Sequence, residues 1–513
     1  MTIECISNPK RELSLPVFLL KDGEAVERHQ FFSLFSSEDQ RYITAFATKA
    51  PVKDGHTHLL FTPSGREAVL MGVAPRSAWN HRRMFLAARR LIAFARREKI
   101  KQILVHFDDW SVSLFAKDRA ALAEIVAIQF EMANFEFTHY KTPPAEGWSF
   151  VERIGVFSKK REKVLAEAFA RGKVIGEEVN SARVLSNTPA QDLTPQSFAR
   201  EAKRIGKAYG IRVSVLGKQA MEKLGMGGII GVGKGSMHEP QFIIMEYLPV
   251  RAPRRKHEAI EQPIVLVGKG VTFDTGGLNL KPEQGLLEMH MDMSGGAAVL
   301  HTIATLARLK VKKNIVALIP VVENMTSGSS YHPGDLLRTM SGKTIEVLNT
   351  DAEGRIILAD ALTYAKRYNP RLIVDVATLT GAAEVALGKR ASALFTNDRG
   401  LEKLFRETGE RTGDFVWPLP LWEEYGEDIK GTFGDLANVG KGRVGGAITG
   451  AMFLWEFVKD KEAPRFGSGH AGQGPAWVHL DIAPRMVALE GEYLAKGAVG
   501  ASISLLTSIL RKF

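Results

Sequence analysis

Three runs in the second half of the chain are apolar almost without interruption: "IVLVG" at 264–268, "NIVALIPVV" at 314–322 and "LIVDVAT" at 372–378. A strand with one face in water alternates polar and apolar residues, so runs of this kind belong to strands covered on both faces. Between them lie "AAVLHTIATLARL" and "ADALTYAKRY", whose apolar residues recur at helical spacing. Strand, helix and strand in that rhythm predict an α/β domain with a mostly parallel central sheet covered by helices.

The 513 residues exceed what one core usually organises. Residues 1–157 read as a smaller N-terminal α/β domain, with "SLPVFLL", "YITAFAT", "EAVLMGV" and "KQILVHF" as its short apolar strands. After the break "KTPPAEGW", one long helix from about Lys159 to Leu185 forms a linker, assigned to 158–187, and 188–513 make the larger domain. The first residues carry no secretory pattern and no apolar run is long enough for a bilayer, so the expected location is the cytoplasm. With Cys5 as the single cysteine, a disulfide framework and a thiolate metal cluster are both excluded within one chain.

Formal net charge is +11, and the first 165 residues, with 25 basic and 19 acidic side chains, hold about half of that excess. In "HRRMFLAARRLIAFARREK", Phe85, Leu86, Ala88, Leu91, Ile92 and Ala95 form an apolar helical face. The pairs Arg82/Arg83, Arg89/Arg90 and Arg96/Arg97 recur seven apart and form a stripe along the same helix. The plain expectation is a solvated face; the alternative is a contact for an acidic partner such as DNA, whose affinity would fall steeply with salt.

Chemistry concentrates where strands end and loops begin. "IVLVGKGVTFDTGGLNLKPEQGLLEMHMDMSGGAA" runs from an apolar strand into a glycine-rich loop holding Lys269, Asp274, Lys281 and Asp292. "NTDAEGR" at 349–355 ends another strand, with Asp351 and Glu353 in the turn and a helix after it. The glycines let several carboxylates approach one point. Four partly buried carboxylates would take up protons unless cations relieved their repulsion. Two alternatives to metal chemistry are discounted: "GVGKGS" at 231–236 lacks the Walker spacing and reads as a structural turn, and His290 reads as packing beside the loop.

"NTDAEGR", together with "VGKGVTFDTGG", "LNLK", "MDMSGGAA" and "DVATLTGA", resembles the leucyl (cytosol) aminopeptidases, two-metal exopeptidases; the likeness covers roughly residues 185–500. It implies a small macro-like N-terminal domain and a catalytic di-metal domain. Lys269, Asp274, Asp292, Asp351 and Glu353 would hold two divalent ions, Mn or Zn, with Asp274 and Glu353 bridging. Lys281 and Arg355 would be catalytic, Lys281 on the developing oxyanion and Arg355 holding bicarbonate. Met289, Thr378, Gly381 and Ala451 would line a pocket for leucine-like or methionine-like N-terminal residues of peptide substrates. A homo-hexamer is implied as well.

Beside the resemblance, an oxygen-rich set without His or Cys suits Mn, Mg or Zn. Lys269 must lose its proton, ordinarily held to a pKa of about 10.4, to serve as a ligand. A water activated by two cations needs no serine or cysteine nucleophile. A two-metal phosphoesterase shares the carboxylates but not the lysine ligand. "LSNTPAQDLTP" departs from the family pattern at Gln191, and the glycine-rich insertion in "FGSGHAGQGPAWVHLDIAP" bears on substrate range.

Overall fold

The protein is described by a computed structural model covering residues 1–513 except 51, 160–162, 251–261, 443 and 460–474. The glycine-rich insertion ahead of "WVHLDIAP" therefore lies outside the described residues. Two compact units emerge: Met1–Asn180 with Leu489–Lys496, and Ser181–Ala488 with Gly497–Phe513. One helix, Lys163–Asn187, runs across their boundary in sequence. No helix among the described residues is long and apolar enough to cross a membrane.

The first unit holds β1 (Thr2–Ile6), β2 (Leu15–Lys21), β3 (Thr57–Phe61), β4 (Glu67–Val73), β5 (Gln102–His106) and β6 (Arg153–Phe157). They form one sheet in the order β1-β6-β5-β2-β4-β3, parallel throughout except for β3. The segment "YITAFAT", expected as a strand, instead lies in the helix Ser37–Lys49. Local chemistry explains the difference: the Ser36 hydroxyl accepts from the Asp39 amide, and Glu38 and Asp39 sit in the first turn, where the helix dipole favours acids. A cap that satisfies an otherwise orphaned amide outweighed a β-branched pair.

The arginine stripe on helix His81–Arg97 is not a uniformly solvated face. Arg89 is buried and its Nε donates to Gln129 at 2.7 Å. Arg96 donates from Nη1 to the carbonyls of Ala133 (3.2 Å) and Phe135 (2.8 Å) and from Nε to Ser149 (3.2 Å), with its guanidinium over Phe150. Arg90 donates to the Gly72 carbonyl. Arg82, Arg83 and Arg97 are exposed. The seven-residue period does align them, but half of the row turns to acceptors of the chain: a glutamine side chain for Arg89, a strand carbonyl for Arg90 and backbone carbonyls of a helix end and loops for Arg96. Leu86, expected in the apolar face, is 38% exposed. Tyr493 and Leu494, from the distant segment of this unit, face Arg96, Arg97 and Glu136 across a cavity of about 400 Å³.

The second unit contains β7 (Arg212–Leu216), β8 (Gln241–Tyr247), β9 (Ile264–Gly268), β10 (Gly270–Asp274), β11 (Ile315–Asn324), β12 (Leu336–Arg338), β13 (Thr344–Glu346), β14 (Leu372–Ala377), β15 (Ser392–Thr396), β16 (Val416–Pro418), β17 (Leu436–Ala437) and β18 (Ala476–Asp481). Nine of these make one sheet, β16-β15-β18-β14-β9-β11-β8-β7, with β10 paired to β11. Its centre, β18-β14-β9-β11 with β10, is parallel, as the uninterrupted apolar runs predict; β8 and β15 join antiparallel.

Alternate residues explain the two-sided cover. Val265, Val267, Val316, Leu318 and Ile373 pack with Ile356–Leu362 of helix Glu353–Ala365 and with Phe453–Val458 of helix Gly446–Val458. Their neighbours Leu266, Ala317 and Val374 point the opposite way and are equally buried. The "GVGKGS" stretch begins inside a short buried helix, Gly227–Gly233, and continues into a turn.

Candidate active site

Strand ends deliver the chemistry. Lys269 links β9 to β10, Asp274 is the last residue of β10, Thr378 follows β14 and Asn324 closes β11. Asp292 separates the short 3-10 helix Met289–Met291 from helix Ser294–Arg308. Glu353 is the first residue of helix Glu353–Ala365, where the dipole favours a carboxylate, and Arg355 is the third, in the same first turn.

Carboxylate oxygens of Asp274, Asp351 and Glu353 all lie within 4.8 Å of one another. Lys269 joins this group to Asp292: its Nζ lies 2.8 Å from Asp292 Oδ2 and 2.9 Å from Glu353 Oε1. Lys281 Nζ lies 2.9 Å from Asp274 Oδ2 and 2.5 Å from Asp351 Oδ1. The five residues expected to surround a common centre are thus brought together, with Lys281 among them. Lys269, Asp274, Asp292, Glu353 and Arg355 are all buried.

Two glycines make the approach feasible for different reasons. Gly276 has φ +85°, and a Cβ there would stand 2.9 Å from Asp351 Oδ1. Gly354 has no left-handed backbone, yet a Cβ would meet Lys269 Cε at 2.6 Å. The glycine of "NTDAEGR" is there because a lysine lies against it.

Electrostatics follows from three buried acids and the half-buried Asp351 facing two lysines. Burial, then Glu353 and Asp292, push the Asp274 carboxyl up to about 8. Burial, with Glu353, lifts Asp292 to about 6 against the pull of Lys269. Burial works against the Lys269 ammonium, but Asp292, Glu353 and Asp274 hold it above the usual lysine range. Asp292 Oδ2, Asp351 Oδ1 and Glu353 Oε1 lie 2.8, 2.5 and 2.9 Å from lysine nitrogens and have no neutral hydrogen-bond donor beside them. Buried oxygens with unused lone pairs, clustered within coordination reach, fit a hard divalent cation.

Arg355 is buried and pushed down to about 10 by that burial, which still leaves it charged at neutral pH. Its Nε has no hydrogen-bond partner. His290 is half-buried, with burial lowering its pKa. Of the residues expected in a selectivity pocket, Met289 is half-buried, Gly381 is exposed and Ala451 is fully buried in helix Gly446–Val458. The Thr378 hydroxyl is engaged with Asp292 Oδ1 at 2.6 Å.

Several residues that sequence reasoning missed support these groups. Asn324 Nδ2 donates to Asp274 Oδ1 at 2.8 Å and to the Thr350 carbonyl at 3.0 Å. The Thr350 hydroxyl donates to the Gly276 carbonyl at 2.6 Å, and Tyr331 Oη to the Thr350 carbonyl at 2.6 Å. Asn438 clamps the 348–352 turn, accepting from the Leu348 and Asn349 amides and donating to the Asn349 carbonyl at 2.6 Å. Asp481 accepts from the Leu379 amide and the Thr380 hydroxyl behind Arg355. The one signal that could have found Asn324 and Asp481 is their place at the carboxyl ends of apolar strands.

Comparison with known proteins agrees with this geometry. The sequence profile of the cytosol aminopeptidase family, catalytic domain, matches residues 180–507. A probable cytosol aminopeptidase of Methylobacillus flagellatus is 42% identical over 393 residues, 76% of this chain and 74% of the relative. One from Burkholderia pseudomallei is 38% identical over 463 residues, 89% of this chain and 86% of its own length. Among solved structures, the bottromycin maturation enzyme BotP in complex with Mn superposes with a TM-score of 0.78 at 28% identity, covering 97% of this chain and 99% of that one. Profile, relatives and acidic centre agree, and the chain belongs to the cytosol aminopeptidase family of metal-dependent aminopeptidases.

Proposed function

We propose that this protein releases N-terminal amino acids from peptides with the help of two divalent cations, which Lys269, Asp274, Asp292, Asp351 and Glu353 would hold. The observation that carries the reading is the convergence of Asp274, Asp351 and Glu353 oxygens within 4.8 Å, with Lys269 linking them to Asp292. When bound, the cations supply Lewis acidity toward the scissile carbonyl and lower the pKa of water to near neutrality.

The remaining roles belong to the chain's own groups. Burial opposes the charge of Lys281, but Asp274, Glu353 and Asp351 outweigh it and hold the ammonium above the usual lysine range when no cation is bound. It stands ready to stabilise negative charge developing on the carbonyl oxygen. Arg355 presents a planar cation with an unpartnered Nε, suited to a planar bidentate anion such as bicarbonate, which would carry the proton to the leaving amine. Met289, Thr378, Gly381 and Ala451 form the surroundings of the N-terminal side chain, with leucine-like and methionine-like residues preferred. Manganese gains support from the Mn complex of BotP; zinc fits the same oxygen set. A homo-hexamer acting in the cytoplasm completes the reading, and light scattering tests the assembly.

The decisive assay is hydrolysis of aminoacyl anilides. Leucine and methionine substrates are cleaved, chelator abolishes cleavage, and Mn or Zn restores it. Metal-loaded protein that leaves every aminoacyl anilide intact overturns the proposal.

A further inference from the structure

Asp274 and Asp292 treat their two oxygens unequally. Asp274 Oδ1 accepts from the Gly276 amide at 2.9 Å and from Asn324 Nδ2 at 2.8 Å, whereas Oδ2 faces Lys281. Asp292 Oδ1 accepts from the Thr378 hydroxyl at 2.6 Å and from Lys269 Nζ at 2.9 Å, whereas Oδ2 has only Lys269 Nζ beside it, at 2.8 Å. In each carboxylate the neutral donors of the chain reach Oδ1 alone, and Oδ2 is left to the lysines of the centre.

The donors come from the strands flanking β9 and β10. Asn324 closes β11, opposite Asp274 in the β10–β11 register, and Thr378 follows β14, the neighbour of β9. Thr378 touches both members of the Lys269–Asp292 pair, because its carbonyl accepts from Lys269 Nζ at 2.8 Å while its hydroxyl serves Asp292. That hydroxyl has one proton, and Oδ1 is nearer than the Asp292 carbonyl at 3.0 Å. Asn324 is fully buried and Thr378 nearly so, so water cannot replace either donor.

We propose that Thr378 and Asn324 are positioning residues that fix which oxygen Asp292 and Asp274 present to the cations. The inference rests on the two-cation reading above. A freely rotating carboxylate must be ordered on each binding event; one held through its other oxygen is ordered beforehand.

The test is calorimetric titration of the metal-stripped full-length chain with Mn²⁺. Thr378→Val keeps the carbonyl and the side-chain volume and removes only the hydroxyl. It lowers Mn²⁺ affinity about 10- to 100-fold, whereas Thr378→Ser, which keeps the donor, stays within about threefold of the parent. Asn324→Leu shows a loss in the same range. Thr378→Ala carries the comparison should the Val variant not fold. Equal Mn²⁺ affinity of Thr378→Val and parent overturns the inference, as does a Ser variant that loses as much as Val. A parent that binds no Mn²⁺, or binds it no better than Asp292→Asn, strikes instead at the two-cation reading itself.

Discussion

Replacing Gly354 by alanine sets two effects of opposite sign against each other. The residue is the second of helix Glu353–Ala365 with no left-handed backbone, so propensity alone predicts a gain of up to about 1 kcal/mol. Against this, the new Cβ would stand 2.6, 2.8 and 2.9 Å from Lys269 Cε, Cδ and Nζ, where carbon contacts relax to roughly 3.5–4 Å. Something must move by about 1 Å. A surface lysine would swing aside, but Lys269 is anchored at Nζ by the Thr378 carbonyl at 2.8 Å, Asp292 at 2.8 Å and Glu353 at 2.9 Å. Overpacking of this kind costs about 1–3 kcal/mol, leaving a net destabilisation of about 0–2 kcal/mol once propensity is subtracted. Activity is the more sensitive readout, because a group displaced by about 1 Å at a reacting centre can lose about 100-fold in rate. Urea unfolding and kcat/KM on leucine anilide measure both. A Gly354→Ala protein that is more stable than the parent and fully active refutes the claim that Lys269 requires this glycine.

Lys281→Met lowers kcat by about 100- to 1000-fold if the lysine serves the developing oxyanion, while calorimetry finds Mn²⁺ binding retained; a kcat within about tenfold of the parent contradicts the role. His106 lies between Asp109, 2.9 Å from Nδ1, and Asp108, 3.4 Å from Nε2. Burial disfavours its charge, but the two carboxylates outweigh burial and raise its pKa to about 9. A raised folded pKa stabilises fully below the unfolded value of about 6.5 and is lost as pH climbs through 9. The gap in unfolding midpoint between the parent and His106→Gln is therefore widest near about pH 6 and narrows toward about pH 9.5; a constant gap excludes this account. Arg96→Ala strips donors from three backbone carbonyls and costs on the order of 3 kcal/mol in urea unfolding, whereas a purely solvated arginine would cost almost nothing.

The legible part of the protein was its centre. Uninterrupted apolar runs marked β9, β11 and β14 as doubly covered strands, but of the four acids only Asp274 closes a strand of that sheet, β10; Asp292 precedes helix Ser294–Arg308, and Asp351 and Glu353 lie in the turn that opens helix Glu353–Ala365, after β13 of the small three-stranded sheet. What stayed hidden depends on partners distant in sequence. Asn324 reaches Asp274 across 50 residues, Thr378 reaches Asp292 across 86 and Asn438 reaches Asn349 across 89. No periodicity encodes which side chain faces which. Arg89 and Arg96 show the same limit: spacing puts them on one face of a helix, but whether water or loop carbonyls await them is decided by the packing of other segments. In "YITAFAT" the obstacle was local, because a cap at Ser36 lies outside the apolar run it governs.

The allocation of Leu489–Lys496 to the same compact unit as the first 180 residues has a consequence for biosynthesis. Roughly 300 residues separate the two pieces, and at about 5–20 residues per second the ribosome needs about 15–60 s to traverse them. Throughout that interval the amino-terminal unit is complete in its sheet but lacks Tyr493 and Leu494 beside Arg96 and Arg97. It leaves the exit tunnel first and is finished nearly last, so a nascent chain stalled anywhere in the second unit carries an incomplete first one.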